Sequence, residues 1–266
     1  TMNDYKFDRF YYSVDDSNKH YLSEIENLSD EEYEQEYKGK MHCPQCKEPQ
    51  LTLVRGGDSS YLRTYPKQFH KIVDGQMCLY SFKTASKTIM EEYVQELRDK
   101  KKIKSALEAV MRCLFKSPTP KHTIPKTGGE SKDALLIEKE QKDKTIKKYI
   151  IPHYSFRSWG KNIPQNQLLI VYGKVYIKLK DIEYKDSDGN VKIQTYIQFR
   201  DIRTKKIITS CVKPQGINIS DGNYYGAVLG RCYEKVSNGY TYYNLRVNFP
   251  VDESVLLKPF SPQGMI

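Results

Sequence analysis

His42-Cys43-Pro44-Gln45-Cys46, then Lys47 to Phe69, then His70, then Cys78, is the run from which the rest of the chain can be read. Cys43 and Cys46 form a Cys-x2-Cys knuckle, a spacing that lets two thiolates grip one metal ion from a tight turn. His70 and Cys78 can complete a tetrahedron, the geometry zinc takes in structural sites. Pro44 and Lys47 suit the turn that such a knuckle needs. His42 is a competing ligand, but a residue adjoining Cys43 rarely reaches the same ion. Four protein ligands leave no open position for water, so the expected Zn2+ is structural rather than catalytic. Between the two pairs, Leu51, Leu53 and Val54 predict a short strand. Gly56-Gly57-Asp58 predicts a turn, and Tyr61 to Tyr65 a returning strand.

Upstream, residues 3–14 are rich in aromatics and predict a strand or a short arm packing on the body. Asp30 to Glu36 reads as a solvated acidic turn leading into the knuckle. Downstream, Thr88 with Glu91 fits a capping box. Ile89, Tyr93, Val94 and Leu97, then Ile103, Leu107, Val110, Met111 and Leu114, recur at a helical period. Three prolines and Gly128-Gly129 within residues 117–134 mark a linker. Leu135-Leu136-Ile137 and Tyr149-Ile150-Ile151 read as short strands around a charged stretch.

From Leu168 the period changes to two. Val171, Gly173, Val175, Ile177 and Leu179 alternate with Tyr172, Lys174, Tyr176 and Lys178. Val191, Ile193, Thr195, Ile197 and Phe199 alternate with Lys192, Gln194, Tyr196, Gln198 and Arg200. Tyr243, Leu245, Val247 and Phe249 alternate with Tyr242, Asn244, Arg246 and Asn248. Successive strand residues point to opposite faces, so each strand has one apolar face and one polar face. Ile207 to Val212 and Tyr225 to Tyr233 add two strands, and Asp188-Gly189 and Asn238-Gly239 are hairpin turns. Five strands in about 90 residues, with Gly173 placed to bend the first, predict an OB-like antiparallel barrel. The Lys213 to Asn223 connection is too short for the helix that many such barrels carry.

The chain of 266 residues has a net charge of +10, yet residues 1–41 hold 5 Lys/Arg against 11 Asp/Glu. A basic body is the footprint of a polyanion binder. Tyrosine is over-used, with 22 Tyr against 9 Phe and 1 Trp, and its flat face with a polar tip suits a wet binding surface. Cys113, Cys211 and Cys232 sit in apolar segments, so the six cysteines are not a disulfide framework, and a reducing, cytoplasmic setting is expected. No apolar run approaches ~18 residues and no basic-then-apolar leader stands at the start, so neither a membrane span nor a signal peptide is expected.

Cys43-Pro44-Gln45-Cys46-Lys47-Glu48-Pro49, Arg55-Gly56-Gly57, Phe69-His70 and Cys78 together resemble the N-terminal zinc-ribbon-like domain of the CoiA-like competence proteins. The resemblance covers about residues 21–97. It departs at Gln68-Phe69-His70-Lys71, where that family shows two histidines. In that family the ribbon precedes a nuclease-like domain, which implies work on DNA. Glu140-Gln141-Lys142 fits the Glu-x-Lys element of metal-dependent nucleases, with Asp133 as an upstream carboxylate. No firm strand frames it, and a solvated charged segment is the expected reading.

The expected class is α+β, in three parts. Residues 1–116 form a zinc-ribbon-like domain with an acidic arm and a helix, 117–162 a connecting segment, and 163–266 the OB-like barrel. Metal ligands are Cys43, Cys46, His70 and Cys78. Tyr172, Lys174, Tyr176, Lys178, Lys192, Tyr196, Arg200, Tyr242 and Arg246 form a face of rings and cations suited to single-stranded nucleic acid, DNA foremost. The expected function is non-enzymatic binding, with other DNA-processing proteins as further partners. One rival is a protein-interaction adaptor. The other is a nuclease or accessory factor using Asp133, Glu138 or Glu140.

Overall fold

The computed structural model describes residues 6–56, 59–73, 76–96, 103–104, 107–108, 111, 135–160, 162–237, 239–247 and 254–260. The chain divides into two units, Thr1–Ser86 with Leu135–Pro152, and Lys87–Ala134 with His153–Ile266.

The first unit opens with a pair of short strands, β1 (Arg9–Tyr11) and β2 (Lys19–Tyr21). Helix α1 (Asp30–Glu36) follows. The acidic run read as a turn is therefore helical, because Ser29 and Glu32 cap it reciprocally: Ser29 Oγ accepts from the Glu32 N–H at 3.2 Å and Glu32 Oε2 from the Ser29 N–H at 2.8 Å. Strands β3 (Leu51–Gly56) and β4 (Ser59–Thr64) make the expected ribbon hairpin. The aromatic arm is laced to it. Phe7 bridges Leu62, and Tyr11 exchanges hydrogen bonds with His42 at 2.8 and 3.0 Å. A small hairpin, β5 (Ile72–Val73) with β6 (Gln76–Met77), leads to Cys78. Strand β7 (Lys83–Thr84) then pairs in parallel with β9 (Ile146–Ile150), which pairs antiparallel with β8 (Leu136–Glu140). The core collects Phe7, Phe10, Leu22, Ile25, Met41, Leu51, Leu62, Tyr80 and Ile150 around Cys43, Cys46 and Cys78. Strands β8 and β9, expected within the connecting segment, thus belong to this unit through the pairing with β7.

The second unit holds α2 (Lys87–Glu96), expected with the ribbon, and a seven-stranded sheet. Its strands are β10 (His153–Ser155), β11 (Leu168–Lys185), β12 (Val191–Arg200), β13 (Ile207–Val212), β14 (Gly222–Ser237), β15 (Tyr240–Arg246) and β16 (Val255–Pro259). The main order is β13-β12-β11-β14-β15, with β10 beside β11 and β16 beside β14. β11 pairs with β14 up to Ile177 and with β12 from Tyr176 onward. Gly173, at φ +155, lies just before that exchange of partners, and a Cβ added there would touch the Phe156 ring at 3.4 Å. Of the odd-numbered residues expected in the core, Leu169, Val171, Val175 and Ile177 of β11 and Ile197 and Phe199 of β12 are there, joined by Phe156, Val228 and Leu245, whereas Val191 and Ile193 are exposed at 62 % and 65 % because the far end of the β11–β12 hairpin extends past the core. Ile217 and Ile219 of the short β13–β14 connection pack on this core, in the place where many OB-like barrels carry a helix.

Among the described residues the sheet is not closed. Among the described residues no ladder joins β13 to β15, although Thr209 Oγ1 donates to Tyr243 O at 3.0 Å across the gap. Its outer face is covered along one half. α2 packs against β11, Met90 and Val94 are buried, and Arg231 Nη2 bonds Glu91 Oε1 at 2.9 Å. Leu168, Ile170, Tyr172, Ala227 and Leu229, all on that outer parity, are buried. No helix among the described residues is long and apolar enough to cross a membrane.

Candidate metal centre and candidate nucleic-acid interface

The knuckle is shaped by its backbone. The Lys47 N–H donates to Cys43 O at 3.1 Å, and Lys47 takes a left-handed φ of +59 to close the turn. The Gln45 N–H points at Cys43 Sγ, 3.5 Å away. Two side chains brace the turn. Lys47 Nζ donates to Val14 O at 2.9 Å and Asp16 O at 2.6 Å, over the ring of Tyr11. Gln45 Oε1 accepts from the Leu79 N–H at 2.8 Å and from Cys78 Sγ at 3.3 Å, tying the knuckle to the segment that carries the last cysteine.

The four expected ligands come together. One donor atom from each of Cys43, Cys46, His70 and Cys78 lies within 4.8 Å of every other. Cys43 Sγ and Cys78 Sγ are 3.8 Å apart, and Cys46 Sγ is 3.4 Å from His70 Nδ1. A tetrahedral ion with metal–sulfur bonds of about 2.3 Å spaces its sulfurs about 3.8 Å apart. The cluster can hold a metal ion. Phe7 and Tyr80 lie beside the His70 ring, with centroids 6.1 and 6.3 Å away. His42 stays outside the cluster, its backbone engaged with Tyr11 and Gln50.

Burial pushes Cys43 up to about 12. Hydrogen bonds with Cys43 and Cys46, then burial, push Cys78 up as well. Hydrogen bonding with Cys43, then with Cys78, lowers Cys46 below the usual thiol range. Cys211 and Cys232 differ: burial raises them to about 12 and about 11, and they serve as small apolar core residues. Cys113 lies outside the described residues.

The nine expected strand-face residues do not form one open surface. Tyr172 is 4 % exposed, under the covered half of the sheet and beside His153, so its ring is not offered to a strand. Past it the face opens. Lys174, Tyr176 and Lys178 of β11 stand in register with Tyr225 of β14 and with Arg200 and Gln198 of β12, and Lys180 with Tyr196. Lys174 and Lys178 are exposed, and Tyr176, Tyr196 and Arg200 half-buried. Lys192 pairs with Asp186 at 2.8 Å in the turn region of the β11–β12 hairpin. Tyr242 and Arg246 are exposed on β15, opposite Lys235 and Arg231, beyond the covered half.

Three residues of the open face escaped the sequence reading. Lys205 Nζ sits 3.9 Å over the Tyr176 ring. Tyr225 and Phe260 pack at 4.6 Å, and Lys174 Nζ lies 5.5 and 5.7 Å from their centroids. Tyr225 could have been found from its place in β14, but that strand is apolar on both parities. Lys205 and Phe260 carry no strand signal. Of the nuclease candidates, Glu138 pairs with Lys148 at 2.7 Å, Glu140 is exposed at the end of β8, and Asp133 lies outside the described residues.

Compared with protein-family models, curated proteins and solved structures, the chain matches none of them.

Proposed function

We propose that the chain binds single-stranded nucleic acid, DNA foremost, through the open part of the β11–β12–β14 face, and that a structural zinc ion holds the ribbon. The observation that carries this is the register. Cations and rings alternate across three neighbouring strands: Lys174 beside Tyr225, Tyr176 beside Arg200, Lys180 beside Tyr196. Stacking needs rings and the backbone needs cations on one surface. The strand order supports an OB-like reading. In such a barrel the first strand pairs with the second and the fourth, and the fifth returns beside the third. β11, β12, β14 and β15 follow that order, with Thr209 of β13 reaching Tyr243 of β15. Three thiols and an imidazole favour zinc among tetrahedral ions. The ribbon's likeness to that of the CoiA-like proteins belongs to the same reading, with binding and not cleavage as the chain's part.

The test is affinity for single-stranded DNA, duplex DNA and RNA at two salt concentrations. Tight, salt-sensitive binding of the single strand supports the reading, and its absence sinks it. A protein-interaction adaptor is the second reading. It draws on Ile182, Tyr184, Val191 and Ile193, all exposed near the free end of the β11–β12 hairpin. Binding that ignores salt favours the adaptor.

A further inference from the structure

The turn that carries His70 also holds a ring out in water. Phe69 is 79 % exposed, the most of any large apolar side chain described. Both its neighbours are fastened. Gln68 Oε1 accepts from the Gln50 N–H at 2.6 Å, and Gln68 Nε2 reaches Gln50 Oε1 at 3.3 Å. His70 is a member of the metal cluster. The exposure is therefore built into the turn rather than left by a slack loop. A backbone already fastened on both sides of the ring loses little freedom when something covers it.

The surroundings say what that is. Lys67 and Lys71 stand on either side of Phe69 in the chain, both exposed, with Lys71 pairing to Glu48 at 2.7 Å. Lys67 takes a left-handed φ of +65 in the turn. Next in the chain, Ile72 and Met77 are cross-strand partners, 67 % and 54 % exposed. Ligands and exposed apolar residues alternate: Phe69 outside and His70 in the cluster, Met77 outside and Cys78 in the cluster.

We propose that Phe69, flanked by Lys67 and Lys71, is a second stacking contact for single-stranded nucleic acid, held ready by the metal centre. This rests on the single-strand reading above. Charge chooses the occupant. A base on the Phe69 ring brings phosphates within reach of two lysines, whereas lysine is depleted in protein–protein interfaces. Ile72 and Met77 are compatible with this, since side chains of that kind also wedge between bases.

The experiment uses the full metal-loaded chain and an oligothymidylate of about 15 nucleotides, near the upper span of one OB-type site. In Phe69→Trp, the added indole is expected to lose fluorescence saturably as the oligonucleotide binds. The chain's own Trp159 bonds Tyr243 O at 2.8 Å and gives the baseline. Phe69→Ala is expected to weaken binding about 5- to 150-fold, with metal content and thermal midpoint as in the parent chain. If Phe69→Ala disturbs metal content, the Phe69→Trp signal decides. An unresponsive indole and undiminished affinity in Phe69→Ala, while Lys174→Ala/Lys178→Ala still weakens binding, overturn this inference and leave the single-strand reading standing. No salt-sensitive binding by the parent chain brings both down and leaves the apolar tip to a protein partner.

Discussion

At the scale of single residues, the clustered cysteines and the strand-face residues make opposite predictions. Cys46→Ser removes one of the three thiols of the cluster, and binding of a structural zinc ion, worth about 10–16 kcal/mol, is coupled to folding. The variant is expected to lose metal stoichiometry and to melt at a lower temperature, as measured by metal analysis and thermal unfolding. Tyr176→Ala and Tyr196→Ala are expected to leave folding intact and to weaken single-strand binding by roughly 1–3 kcal/mol each. Tyr176 should sit at the low end, since Lys205 already covers its ring and a base must displace that cation. Lys174→Ala and Lys178→Ala should each flatten the salt dependence, by about 0.7 in log–log slope for every phosphate the side chain had neutralised. Binding titrations across a salt series check both. Val175→Asp places an unpaired charge in the core and should unfold the unit instead.

Among the elements, β11 shows what was legible and what was not. From Lys174 to Leu179 its alternation of polar and apolar residues matches one wet and one dry face, and the sequence shows it directly. Leu168-Leu169-Ile170-Val171 shows no alternation, because α2 covers the side the core does not. Tyr172 falls at the end of that double-covered run, so parity alone assigned it to water. β14 is hard to read for the same reason, and Tyr225 went unnoticed. α1 is the converse. Its signal, Ser29 with Glu32, was present, but the acidic composition outweighed it. Gly173 was legible in position. A Gly173→Val change would meet the Phe156 ring and a positive φ, and is expected to cost about 2–4 kcal/mol in denaturant unfolding. Metal removal by a chelator should act by element too. Amide exchange is expected to quicken in the knuckle and around β5 and β6, and to stay slow in β11 and β14, which contribute no residue to the cluster.

For the molecule as a whole, the clustering of Cys43, Cys46, His70 and Cys78 was readable from the knuckle outward, while the division into units was not, because it is made by long-range pairing. β9 completes a sheet begun by β7, with α2 and residues 97–134 intervening in the chain. That interleaving has a consequence for synthesis on the ribosome. The four residues of the cluster emerge early, and the cluster could take an ion once Cys78 is out. The core that begins at Phe7 and Phe10 still waits for Ile150, and the sheet for β8 and β9. Nascent chains arrested before Ile146 should therefore hold metal yet remain open to protease. Protection of the first unit should arrive in one step when the strand ending at Ile150 clears the exit tunnel.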